Sequence, residues 1–185
     1  MASDQTIAEC QRDEILVLKS IFDDEFFESN SPSKFNLLIR LDSSHKNIFL
    51  FHHQSEEPNE ISNLPPVRFH LEFPSTYPEK NPPIYLISCD YLPSSTLIEI
   101  ADRLDNVWTP NEPIVFTWIE LIKEDLAKRY ERFYLSSDDD EREDPRIFTN
   151  YHRIGWKAIF DQLIEYDRVE NSFQFDKSIH ICPIW

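Results

Sequence analysis

The stretch Phe73-Pro74-Ser75-Thr76-Tyr77-Pro78-Glu79-Lys80-Asn81-Pro82-Pro83 decides how this chain is read. It holds four prolines in eleven residues. Each proline fixes φ and removes a backbone donor. Each also pushes the residue before it out of the helical region. The stretch can therefore be neither helix nor strand, and it reads as a rigid crossing between two elements. Tyr77 is placed to bury its ring while its hydroxyl satisfies a loop carbonyl. Tyr77, Pro78, Pro82 and Pro83 are its structural residues.

On both sides of the crossing the pattern is that of strands. Val67, Phe69, Leu71 and Phe73 alternate with Arg68, His70 and Glu72, which buries one face of a strand and wets the other. Ile84 to Ile87 is a continuous apolar run, the pattern of a strand covered on both faces. Further upstream, Phe35, Leu37, Ile39 and Leu41 repeat every second residue, and Ile48 to Phe51 is another short apolar run. Gln54 to Pro66 is polar and proline-containing, and is expected to be a loop.

The helical period governs the two ends. Thr6-Ile7-Ala8-Glu9 reads as a capping box. Ile15, Leu18, Ile21 and Phe22 then recur on one stripe, and the helix is expected to end near Asp23. Ser94 or Ser95 can cap a helix carrying Leu97, Ile98, Ala101 and Leu104. After the break at Asn111-Glu112-Pro113, a third stripe runs from Val115 through Trp118, Ile119, Ile122 and Leu126 to Tyr130 and Phe133. The predicted fold class is α+β: a helix, a four-stranded antiparallel sheet and two helices covering one face. Ser136 to Pro145 has no apolar residue and reads as an acidic linker. Trp156, Ile159, Phe160 and Leu163 predict one more helix, a C-terminal extension ending near Tyr166. The expected division is 8–134 for the main domain, 135–150 for the linker and 151–185 for the extension.

Composition narrows the function. The formal net charge is −16, with 34 acidic against 18 basic residues. A binder of phosphate backbones needs the opposite sign, so no nucleic acid and no anionic membrane is expected as a partner. An acidic surface instead suits a basic protein, through steering more than affinity. Three cysteines, Cys10, Cys89 and Cys182, are too few and odd in number for a disulfide framework. With no signal peptide or membrane span in view, the expected location is cytoplasmic, nuclear or both. Gly155 is the only glycine. That excludes a phosphate-binding loop, a dinucleotide fingerprint and a nucleophile elbow, each of which needs several.

The segment Tyr77 to Pro83 resembles the Tyr-Pro-x-x-x-Pro-Pro hallmark of RWD domains, and Glu14, Leu18, Ile21 and Phe22 resemble that family's Glu-x-x-x-Leu-x-x-Ile-Phe pattern. The resemblance covers about residues 8–134. It implies a fold related to ubiquitin-conjugating enzymes and a non-catalytic, protein-binding role. Those enzymes carry an asparagine shortly before a thioester-forming cysteine. Here the nearby thiol is Cys89, at the end of the fourth predicted strand, and no His-Pro-Asn occurs. Cys89 reads as a small buried residue rather than a nucleophile. His52-His53 point to opposite faces of a strand and cannot readily share a metal. Asp23, Asp24 and Glu25 have no neighbouring group to divide acid and base roles with. No catalytic residue is assigned, and binding residues are left open between the outward faces of the first helix and of the sheet.

The tail Cys182-Pro183-Ile184 resembles the opening of a RING zinc site, where two thiolates spaced Cys-x-x-Cys grip one ion. Trp185 stands where the second cysteine belongs. The order of domain, acidic linker, helix and Cys-Pro-Ile resembles the front of RING-between-RING ubiquitin ligases of the ring-finger-14 type. Cys182 is then a lone candidate ligand, no cofactor is expected in this chain, and zinc belongs to a full-length parent. A ubiquitin-conjugating enzyme would be met only through the missing RING region. The alternative implied by the same resemblance is a free-standing adaptor that binds a ribosome-associated activator in translation and stress signalling.

Overall fold

The computed structural model describes residues 2–41, 48–52, 57–130, 133–135 and 143–179. Alternating side chains set the sheet. β2 (Lys34–Ile39) and β5 (Val67–Glu72) run antiparallel, and their register puts Phe35 opposite Leu71, Leu37 opposite Phe69 and Ile39 opposite Val67. All six side chains are buried, so one face of this pair is core. β6 (Ile84–Ser88) extends the face, placing Ile87 beside Phe69 and Tyr85 beside Leu71. β1 (Phe26–Glu28) closes the other edge by pairing with β2. On the outer face the partners are polar: Lys34 meets Glu72 at 2.9 Å, and His70 Nδ1 lies 2.7 Å from Asn36 Oδ1.

Helices cover the inner face. α1 (Ala2–Phe22) lays Leu18 and Phe22 on it. α2 (Ser94–Val107) buries Leu97, Ile100, Ala101 and Leu104. α3 (Val115–Tyr130) sends Trp118 between Phe69 and Tyr85, with ring centroids 6.2 and 5.0 Å away. The Trp118 indole donates to the Leu104 carbonyl at 2.9 Å, so the largest core side chain also joins α2 to α3. A second aromatic chain, Phe26–Phe35–Phe73–Tyr77, leads from β1 to the proline-rich crossing. Each buried side chain of this size contributes roughly 1.5–3 kcal/mol.

The α+β class with further helices agrees with the sequence, and the differences are local. β3 (Ile48–His52) does not join the main sheet, because β1 already occupies the free edge of β2. It lies instead between β4 (Asn59–Ile61) and β7 (Phe133–Leu135) in a second sheet. The expected loop from Gln54 to Pro66 thus contains a strand, and Phe133 ends in a strand rather than on the third helical stripe. Ile84 is 59% exposed, because the register puts it on the polar outer face beside Glu72 and Lys34. α1 begins at Ala2, so Thr6 is inside the helix rather than its cap. The N-cap of α2 is Pro93, whose carbonyl accepts from the Leu97 amide at 3.2 Å, and no side chain caps it.

The segment after α3 returns to the same body. β8 (Ile147–Phe148) pairs with β6 in parallel, setting Ile147 beside Ile87. α4 (Tyr151–Ile154) ends at Gly155, whose φ of +80° is open to glycine at little cost. α5 (Trp156–Ile179) buries Ile159 and Leu163. Its Asp167 carboxylate accepts from the Ser62 and Asn63 amides at 2.8 and 2.7 Å, which fixes α5 against the turn after β4.

Candidate interaction surface

The proline-rich crossing is tied to three other elements. The Tyr77 hydroxyl donates to a Glu14 carboxylate oxygen on α1 at 2.6 Å and accepts from the Ile114 amide at 3.0 Å. The other Glu14 oxygen accepts from the Val115 amide at 3.0 Å. A carboxylate and a phenol thus share the first amides of α3, where the helix dipole favours negative charge. Gln11 adds a second strap, donating to the carbonyls of Pro74 and Tyr77 at 2.9 and 2.7 Å. Asn111 adds a third, its amide meeting the Pro78 carbonyl at 2.7 Å. Asn111 takes a φ of +70°, a conformation asparagine tolerates, where many proteins would use glycine. The Tyr77 hydroxyl therefore meets a carboxylate and a helix amide, and no loop carbonyl. Tyr77, Pro78 and Pro83 are buried and Pro82 is half-buried.

Burial dominates the electrostatics of this latch. It pushes the Glu14 carboxyl above its ordinary value, against the lowering effect of its bonds to Tyr77, Val115 and Ile114. Burial, with the charge of Glu14, pushes the Tyr77 hydroxyl far above its usual range. The phenol stays a donor at any working pH.

Little nucleophilic or metal chemistry is built into the described residues. Burial pushes the Cys89 thiol up to about 12. Burial thus disfavours the thiolate, the form that acts as nucleophile. No group of three His, Cys, Asp or Glu side chains among the described residues could hold a metal ion. Cys182, the lone candidate zinc ligand, and His53 lie outside the described residues. The chain has Trp185 where a Cys-x-x-Cys pair requires its second thiol, so these residues do not fit a structural zinc site. A shallow cleft of about 260 Å³ opens between Ile15 and the β1–β2 hairpin. Its charged residues, Glu28 and Lys34, are already paired with Lys19 and Glu72. No described helix is long and apolar enough to cross a membrane.

Arg146 makes a separate brace. Its guanidinium meets Asp102 at 2.8 Å, Asp105 at 2.5 Å and Asp144 at 2.6 Å. Asp144, the first cause, together with Asp102 and Asp105, raises its already high pKa further, while Arg146 holds Asp144 below the usual carboxylate range. The Tyr85 hydroxyl joins the same group through Asp105 at 2.7 Å. The end of the acidic run is thereby pinned to α2.

What remains outward divides between two places. On the sheet, Phe27, Ile84 and Phe148 are exposed; Asn36 and His70 stand between Phe27 and β6, while the half-buried Leu86 lies beside Ile84 on the same face. On α1, Leu16, Val17 and Ile21 are exposed within two turns, and Phe116 at the start of α3 is exposed beside Phe22, with ring centroids 6.4 Å apart. Ile21 belongs to the stripe expected in the core, yet only Leu18 and Phe22 of that stripe are buried, with Ile15 half-buried. Leu16 and Val17 were not singled out by the sequence reading. The signal was there: Ile15-Leu16-Val17-Leu18 is four apolar residues in a row, and a helix turning about 100° per residue cannot bury them all. Gln11, Asn111 and Arg146 were missed as well, and nothing local marks them.

The family match covers the region that builds the latch. The profile of the RWD domain matches residues 9–126. E3 ubiquitin-protein ligase RNF14 of Danio rerio is 33% identical over 130 residues, which are 68% of this chain and 27% of that protein. The proteins of the same name from Mus musculus and Homo sapiens are each 32% identical, over 63% of this chain and 26% and 27% of their own lengths. The chain therefore spans about a quarter of the curated relatives it matches. With Tyr77, Glu14 and the α3 amides locked together inside the matched residues, the chain belongs to the RWD domain family.

Proposed function

We propose that this chain is a non-catalytic protein-interaction region of an E3 ubiquitin ligase, recruiting a partner or substrate in the cytoplasm or nucleus. One observation carries the reading: a chain whose residues 9–126 match the RWD domain is 33% identical over 130 residues to an RNF14 ubiquitin ligase. RNF14 proteins are named as ubiquitin ligases, and ligases need a region that brings them to what they modify. The resemblance to ligases favours this reading over the free-standing adaptor. Zinc and the contact with a ubiquitin-conjugating enzyme are assigned to the rest of such a parent protein.

The test has two arms. Incubated with activating enzyme, conjugating enzyme and ubiquitin, the purified chain should form no thioester on Cys10, Cys89 or Cys182 and should carry no zinc. Immobilised, it should retain at least one cellular protein that then binds saturably when both are purified. A thioester, stoichiometric zinc, or no saturable partner would each overturn the reading.

A further inference from the structure

α1 is a helix with more apolar residues than its buried face can hold. Leu18 and Phe22 go inward with Glu14, and Ile15 is half-buried. Leu16, Val17 and Ile21 are left on the solvent arc, exposed by 55%, 54% and 52%. They lie within about 7.5 Å along the axis. Phe116 at the start of α3, 46% exposed, lies beside the buried Phe22 and is not counted in the patch. Val17 and Ile21 are one turn apart on the same side of the helix, and Leu16 lies about 100° round from Val17. A lone exposed leucine needs no explanation, but an exposed aliphatic pair with a third beside it does.

The rim of the patch is acidic. Glu9 and Asp13 lie before it, and Asp23 and Asp24 after it. All four are exposed, and no salt bridge among the described residues engages Asp13, Asp23 or Asp24. Of the two basic residues on α1, Lys19 is bound to Glu28 and stands 5.7 Å from the Phe26 ring centroid, on the flank facing β1. Only Arg12 remains.

Resting on the interaction role proposed above, we infer that the outward face of α1, centred on Leu16, Val17 and Ile21, docks a basic amphipathic helix of a partner protein. An apolar ridge between acidic ends matches a helix whose apolar stripe is flanked by lysine or arginine. An extended peptide would need a free sheet edge, and α1 offers none. A second copy of this chain would bring the same acids against one another, on molecules of net charge −16 each. On the outer face of the sheet Ile84 and Leu86 adjoin Glu72 and His70, and Lys34 and Arg68 make its charge mixed rather than acidic, so it does not select a basic helix.

The test uses the full 185-residue chain, isotopically labelled for amide NMR. The probes are a helical peptide with leucines at i, i+3, i+4 and i+7 flanked by lysines, and the same peptide with glutamates in place of the lysines. The lysine peptide should shift the amides of Leu16, Val17, Ser20 and Ile21 and bind more weakly as salt rises. The glutamate peptide should not bind. Val17→Glu with Ile21→Glu should weaken binding at least roughly tenfold, and Ile84→Glu on the sheet should not. Asp13→Lys with Asp24→Lys keeps the apolar ridge and should reverse the preference between the two peptides. Shifts centred on the sheet, equal binding of both peptides, or no binding would overturn the proposal. So would a dimer abolished by Val17→Glu with Ile21→Glu. If a purified partner found in the retention experiment still binds that double variant, this surface is wrong while the interaction role stands.

Discussion

Turned inward, α1 presents Glu14, Leu18 and Phe22, bound to the amides of α3, the Tyr77 hydroxyl and the core. Turned outward one residue away, it presents Val17 and Ile21 of the same chemical kind to water. The two faces have nearly the same apolar content and opposite consequences. What a leucine or isoleucine does here is set by its angle on the helix and by what waits at that angle. The inward face is expected to govern stability, the outward face binding.

Tyr77→Ala should separate them most sharply. It removes a fully buried ring and the phenol between Glu14 and Ile114, and should cost about 3–5 kcal/mol in urea unfolding. Partner binding should fall only as the folded fraction falls. Unchanged melting with selective loss of a partner would collapse the contrast between the faces. Glu14→Leu comes next, leaving the Tyr77 hydroxyl and the Val115 amide without acceptors, at about 2–3 kcal/mol by the same measurement.

Glu14→Gln gives a smaller, pH-dependent effect. Burial holds the folded Glu14 carboxyl above its ordinary value of 4.5. The native protein therefore keeps this proton to a higher pH than the unfolded chain does. The stability this contributes is complete below 4.5 and is lost as pH rises through the higher folded value. The stability of wild type minus that of Glu14→Gln, from urea melts at a series of pH values, should fall in that direction. A difference that is flat or rises with pH would mean that the hydrogen bonds outweigh burial.

The weakest perturbations belong outside. Brief alkylation followed by peptide mass mapping should modify Cys10, exposed on α1, and spare the buried Cys89. Val17→Glu with Ile21→Glu should move the unfolding free energy by no more than about 0.5 kcal/mol per site. A large loss would place these residues in the core after all.

The sequence revealed what period alone determines. Val67 to Leu71 alternate strictly and Phe35 to Ile39 nearly so, with Leu38 as the exception, so their strands and inward faces were readable. Asn59–Ile61 and Ile147–Phe148 are too short to show a period, and their place is set by the strands they join. The proline-rich crossing was legible, because proline constrains its own backbone. Its partners were less so: Gln11 reaches Pro74 across 63 residues, and Arg146 reaches Asp105 across 41. The candidate surface was legible only as surplus, in four consecutive apolar residues that no single helix face can accommodate.

The latch also bears on the order in which the molecule assembles. Glu14 meets Tyr77 across 63 residues and the Val115 amide across 101. Closing loops of that length loses configurational entropy before any contact compensates for it. Contacts so remote in sequence form slowly. Glu14, Tyr77 and the start of α3 should therefore meet after the folding barrier has been crossed, and substitutions there should hasten unfolding far more than they slow folding. The tyrosine that identifies the domain in sequence would then mainly lengthen the lifetime of the native state.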